Sequence, residues 1–150
     1  MIKRKVCREI PLAEITLRKY ERPSDLSKRE LIRKICLSIG LLQPGDSRDV
    51  IVDIFTILVN AEKPLGSEDI QEAVVNFRKE NNLPLIGIAS SNIRRQIKRL
   101  KDVFLLEKIN GGYRINEGED LINIYEQKIE KFYLAGINSR IKEYFRALKR

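Results

Sequence analysis

The chain contains no histidine and no tryptophan, and it has a single methionine and two cysteines among 150 residues. Without histidine it lacks the commonest general base near neutral pH and the commonest metal ligand. Cys7 and Cys36 stand in unrelated contexts, and two thiols cannot complete a zinc site from one chain unless carboxylates join them. A disulfide between them is one alternative. Reduced thiols in a cytoplasmic protein are the expectation, because nothing resembles a small secreted cysteine scaffold. A Gly-rich phosphate loop is also missing: Gly111-Gly112 lacks the helix and lysine that should follow. No nucleophile has a visible base, and the carboxylates are scattered. The expectation is therefore no enzyme, no metal and no cofactor. Long apolar runs are absent too, since none reaches the roughly 18 uncharged residues of a membrane span. The start, Met1 to Glu9, is basic and lacks the apolar stretch of a signal peptide. There is no internal repeat, low-complexity tract or second domain.

What is present suits one domain with extensions. Apolar residues make up 43%, enough for a real core. Lys and Arg total 29 against 21 Asp and Glu, a net charge of +8. That excess favours a polyanionic partner if it is localised. Abundant Lys, Glu, Arg and Ile would suit a thermophile.

Residues 1–23 read as a basic arm, in which Ile15 and Leu17 alternate with Thr16 and Arg18 as in a short strand. Pro11 and Pro23 limit regular structure there. Residues 24–45 hold a first helix and a linker. The helix runs from about Ser27 to Ile39, with Ser27 and Glu30 at capping-box spacing and Gly40 at its stop. Residues 46–117 form the main domain. A helix from about Ser47 to Ala61, capped by Asp46, is apolar on most sides and should be central. A third helix starts at Ser67 and fades near Asn81-Asn82, followed by a loop through Leu83 to Ile88. A fourth begins after Ser90 or Ser91 and reaches about Lys101. Extended segments Phe104–Ile109 and Tyr113–Asn116 flank Asn110-Gly111-Gly112, and Asn-Gly between apolar runs is the strongest short-range hairpin signal. Residues 118–150 carry a long helix with a possible split at Gly136 and Asn138.

The segment from Ser90 to Lys101 carries the functional signal. Ile93, Ile97 and Leu100 make one buried stripe, so Asn92, Arg94, Arg95, Gln96, Lys98, Arg99 and Lys101 face outward; five of these are basic and none acidic. A helix fits the major groove of DNA, where Arg can donate twice to guanine and Asn or Gln can pair with adenine. Lys and Arg further along can neutralise phosphates. A merely solvated helix tends to place acidic partners four residues away, and this run has none.

These residues resemble the winged helix-turn-helix transcription regulators of prokaryotic and archaeal type. Their recognition helix and wing commonly show a small hydroxyl residue, an aliphatic residue two on, an aliphatic residue and a leucine at helical spacing, then two aliphatics opening a hairpin. Here those places are Ser91, Ile93, Ile97, Leu100, Leu105 and Leu106, with Arg95 where a basic residue is frequent. The likeness covers residues 46–116, about half the chain. Phe104 departs from it, standing where many such proteins have glycine, and the loop from Asn82 to Ala89 is longer. The resemblance implies a mainly α fold with a small β-hairpin wing and a long last helix. It implies that Ser90, Ser91, Asn92, Arg94, Arg95 and Gln96 meet bases or nearby phosphates. Lys98 and Arg99 would lie nearer the backbone, and Lys108 and Arg114 would let the wing touch the minor groove or a phosphate.

A helix of some 30 residues would extend about 45 Å, more than a small domain covers. Its apolar face includes Ile122, Tyr125, Ile129, Phe132, Tyr133, Ile137, Ile141, Tyr144 and Phe145. Packing as core is one alternative; pairing with a second copy is the expectation, giving a homodimer with two recognition helices about one DNA turn apart. The arm could enter a minor groove or pack on the domain. Three functions follow: a DNA-binding regulator, a winged-helix module that binds protein, or an architectural nucleic-acid binder with little sequence preference.

Overall fold

Apolar spacing decides which helix lies at the centre. A computed structural model describes residues 8–116 and 120–149. Helix α2 (Val50–Asn60) is apolar nearly all round, and its Val50, Ile51, Val52, Ile54, Phe55 and Leu58 are buried. Three amphipathic helices surround it, each contributing one stripe. They are α1 (Lys28–Ser38) with Ile32, Cys36 and Leu37, α3 (Ser67–Glu80) with Ile70 and Val74, and α4 (Ser90–Asp102) with Ile93, Ile97 and Leu100. Strands β1 (Leu106–Ile109) and β2 (Gly112–Ile115) form an antiparallel hairpin. A final 27-residue helix, α5, covers 121–147. The mainly α class, the hairpin wing and the long last helix are as expected from the sequence. No helix among the described residues is long and apolar enough to cross a membrane.

Local chemistry fixes the ends of these elements. Both halves of the capping box on α1 are made: Ser27 Oγ accepts from the Glu30 amide at 3.2 Å, and Glu30 Oε2 accepts from the Ser27 amide at 3.3 Å. The hairpin turns through Asn110 (φ 44) and Gly111 (φ 78), the two left-handed residues of a type I′ turn. Leu65, in the α2–α3 connection, exchanges backbone hydrogen bonds with Tyr113 at 3.0 and 2.8 Å, adding a one-residue third strand beside β2. Gly112 permits that approach, because a Cβ there would lie 2.9 Å from the Pro64 Cβ.

The structure corrects four expectations. No strand forms at Ile15–Arg18. The Arg18 amide instead bonds the Ser38 carbonyl at 2.8 Å, and its guanidinium donates to the carbonyls of Leu37 (2.8 Å) and Leu42 (3.3 Å). The arm thus closes the end of α1, whose last carbonyls have no partner within the helix. Residues 1–7, including Cys7 and the start of the arm, lie outside the described residues, as does the domain boundary at 117–118. Second, α2 begins at Val50 rather than Ser47. Asp46 holds the Arg48 amide at 2.9 Å in the preceding turn, and Asp49 takes the N-cap position. Third, α5 does not split at Gly136 or Asn138, which lie inside its regular Ala135–Ala147 portion. The irregularity is upstream, where Tyr125–Leu134 is wound as a π-helix. Its i→i+5 winding brings Ile124 and Ile129, both buried, toward one side of the helix. Fourth, Ile129 is taken up by the interior and is only 1% exposed, so it is not available to a second chain.

Charge also holds the helices together. Asp53, fully buried in apolar α2, pairs with Arg78 of α3 and with Arg29 of α1 at 2.9 Å. Asp49 receives Arg29 and Arg33 at 3.0 Å each and Arg78 at 3.3 Å. Arg78 also donates to the Pro84 carbonyl at 2.7 Å, tying the α3–α4 loop to the same cluster. Burial pushes the Asp49 carboxyl up, but hydrogen bonds and charge from Arg29 and Arg78 outweigh it and hold the group below its ordinary value.

Candidate nucleic-acid interface

Helix α4 has two faces of opposite character. Ile93, Ile97 and Leu100 are at most 1% exposed. Ser90, Ser91, Arg94, Arg95, Lys98 and Lys101 are exposed, with Asn92, Gln96 and Arg99 at the margin between the faces. The N-cap residue is Ala89, which offers no side-chain oxygen, and the first turn holds no acidic residue. The leading N–H groups therefore lack a side-chain cap, and the positive end of the helix dipole is left uncompensated. Such an end favours an anion.

The marginal polar residues are bonded to one another. Asn92 Nδ2 donates to the Gly87 carbonyl at 2.7 Å, Gln96 Nε2 to Asn92 Oδ1 at 3.1 Å, and Arg99 to Gln96 Oε1 at 2.8 Å. This ladder positions Arg99 and fixes the helix against its preceding loop. Among the described residues, no carboxylate lies within ion-pair distance of Arg94, Arg95 or Lys101. The absence of acidic partners does not extend past the run itself, however. Asp102 lies one residue further and accepts from Lys98 at 2.8 Å. Both side chains are more than half exposed, so the pair contributes at most about 1 kcal/mol and opens readily to another anion.

The wing splits the two basic residues expected of it. Lys108 is exposed near the hairpin tip, its ammonium 5.9 Å from the Tyr113 ring centre. Arg114 stands opposite Glu107 in the register and bonds it at 2.6 Å. It is half-buried and committed to the sheet. Lys108 is therefore the wing's outward cation and Arg114 a cross-strand partner.

The exit from α4 is unusual. Phe104 has φ +67, the left-handed conformation that glycine tolerates and a bulky side chain does not. Its ring meets Phe132 and Tyr133 of α5 edge-on, with centroids 6.0 and 6.1 Å apart. Tyr133 in turn exchanges hydrogen bonds with the Glu14 backbone, both at 3.1 Å. Phe104 thus trades local strain for an anchor that holds α5 to the helix-turn-helix. Beyond this anchor α5 becomes exposed: Ile137 is half-buried, while Ile141, Tyr144, Phe145 and, just past the helix end, Leu148 are 48, 74, 72 and 70% exposed on one stripe. Ile122 and Phe132 are also exposed, and Tyr125 is half-buried against the core.

One cation was not foreseen from sequence. Arg48, in the α1–α2 linker, lines a cleft with Arg95 and Arg99. It lies more than 40 residues from α4 in the chain, so no local pattern could connect them. Cys36, by contrast, offers no chemistry: it is fully buried, and burial pushes its thiol up to about 12 despite the opposing charges of Arg99 and Arg33.

Comparison with protein-family models, with curated proteins and with solved structures finds no match to this chain.

Proposed function

We propose that this protein binds double-stranded DNA with α4 in the major groove, acting as a homodimeric transcription regulator paired through α5. The observation that carries this reading is the two-sidedness of α4: a fully buried aliphatic stripe opposite exposed Arg94, Arg95, Lys98 and Lys101, at an uncapped helix start. A groove about 12 Å wide admits a helix of this diameter. Arg94, in its first half, is placed for base edges and Arg95 for a base edge or a nearby phosphate, while Lys98, Arg99 and Lys101 face the flanking strands. Lys108 extends the contact from the wing. The role is binding, with no cofactor or catalytic step. Pairing through α5 is supported by the apolar stripe of Ile141, Tyr144, Phe145 and Leu148, which the described residues leave exposed.

The test is fluorescence anisotropy with labelled duplexes at several salt concentrations, comparing the wild type with Arg94→Ala/Arg95→Ala. Nanomolar-to-micromolar binding that weakens steeply with salt, and loss of sequence discrimination in the variant, are expected. No binding to any duplex at low salt would overturn the reading and point to a protein partner for the same basic face. One observation favours a second reading, an architectural binder with little sequence preference. The amides of Asn92 and Gln96, the best adenine readers on α4, are bonded within the chain. Equal affinity for unrelated duplexes would select it.

A further inference from the structure

The α1–α2 linker, the start of α2, the α3–α4 loop and α4 from Asn92 to Arg99 line a cleft of about 390 Å³. Its floor is apolar, with Leu41, Leu42, Val50 and Ile51 buried beneath it. Its rim carries three guanidinium groups, from Arg48, Arg95 and Arg99. Arg48 and Arg95 are exposed, and Arg99 is held by Gln96 at 2.8 Å, which commits one of the several donors a guanidinium has. The single carboxylate on the rim, Asp46, is turned onto the linker and accepts from the Arg48 amide at 2.9 Å. The rim therefore keeps an excess of positive charge, presented as planar forks of N–H donors. Those forks match the oxygens of a phosphate.

We infer that this cleft seats a phosphate group between Arg48, Arg95 and Arg99. The inference rests on the DNA-binding reading, in which the group is a backbone phosphate beside the groove that α4 occupies. A helix about 10–12 Å across fills a groove about 12 Å wide, so side chains rising beside the helix meet the strand backbone and not the bases. Arg48 rises from the linker beside α4, and it extends the interface beyond the helix and wing. A free phosphorylated molecule offers the same chemistry, and the experiment separates the two sources.

Arg48→Gln and Lys79→Gln, an exposed substitution on α3 away from the cleft, are compared with the wild type in the full chain. Duplex affinity is measured against salt. Separately, backbone amide shifts are followed by NMR during titration with inorganic phosphate and pyrophosphate. The expected result is that Arg48→Gln weakens binding to all duplexes by a similar severalfold factor and flattens the slope of log K against log salt by about 0.9, while Lys79→Gln does not. Saturable phosphate-induced shifts at Arg48, Arg95 and Arg99 that vanish in Arg48→Gln would also support the site. If duplexes bind but Arg48→Gln matches Lys79→Gln and phosphate moves none of these amides, the cleft assignment is wrong and the DNA-binding reading survives. If no duplex binds but phosphate or pyrophosphate saturates the cleft, the DNA-binding reading fails and the site stands as one for a free phosphorylated ligand. No duplex binding and no phosphate response overturns both.

Discussion

Replacing Arg78 by Met tests what the buried charges contribute. The Asp53 side chain is fully buried and that of Arg78 only 3% exposed, so neither is solvated by water. In Arg78→Met, Asp53 keeps only Arg29, itself a quarter exposed, and the Pro84 carbonyl loses its donor. Stranding one partner of a buried pair costs about 3–5 kcal/mol. The retained Arg29 contact places this case near ~3 kcal/mol, which for a chain of this size lowers Tm by roughly 10 °C. Removing both charges in Asp53→Leu/Arg78→Met should cost much less than the sum of the single changes, leaving a coupling of about 1–3 kcal/mol. Urea unfolding followed by far-UV circular dichroism measures all four corners of the cycle. The reasoning is refuted if Arg78→Met costs under ~1 kcal/mol, or if the double variant is as unstable as the summed singles.

Acid should weaken the same cluster. Asp49 is held below its ordinary value of 3.8 when folded, so the unfolded chain binds its proton first. Its contribution is complete above that value and is lost as pH falls through the depressed one; urea midpoints that stay flat from pH 5 to pH 2.5 would contradict this. At Phe104, glycine should be better tolerated than alanine, against the usual order, because only glycine relieves φ +67. The expected gap is about 1 kcal/mol, and both variants should lose hydrogen-exchange protection in α5 with the Phe132 and Tyr133 contacts. Equal stability of the two, or unchanged protection, would show that Phe104 is neither strained nor an anchor. Tyr144→Glu/Phe145→Glu should convert a dimer to a monomer in light scattering after gel filtration, with little change in helix content; a mass unaffected by the substitution removes α5 as the pairing surface.

The elements most legible from sequence are those fixed by neighbours a few residues apart. Ser27 with Glu30, Asn110 with Gly111, and the spacing of Ile93, Ile97 and Leu100 each encode a local geometry, and each is formed. What sequence did not reveal depends on distant partners. The bridge from Leu65 to Tyr113 needs one residue pair and the bare Gly112, neither of which makes a pattern. The Arg29–Asp53–Arg78 cluster joins three helices. It left one trace: Asp53 sits alone in the apolar run from Val50 to Leu58, and a carboxylate on a buried helix requires a cation from elsewhere. The arm misled because period-two alternation suggests a strand only where a sheet edge is available, and Arg18 found a helix end instead.

The same distinction bears on how α4 would meet DNA. Sequence treats Asn92, Gln96 and Arg95 as equivalent outward positions, but folding divides them. Asn92 and Gln96 lose hydrogen-bonding capacity to Gly87, to each other and to Arg99, whereas Arg94 and Arg95 are exposed to solvent. Discrimination should therefore fall mainly on a guanine contact from Arg94, which lies outside the cleft that Arg95 lines, since a bidentate pair is worth about 1–3 kcal/mol against the wrong base. Asn92→Ala should disturb the approach of the α3–α4 loop more than base choice, lowering affinity evenly across duplexes. If it instead changed which sequence is preferred, the ladder would have to open on binding, and Asn92 would belong among the reading residues.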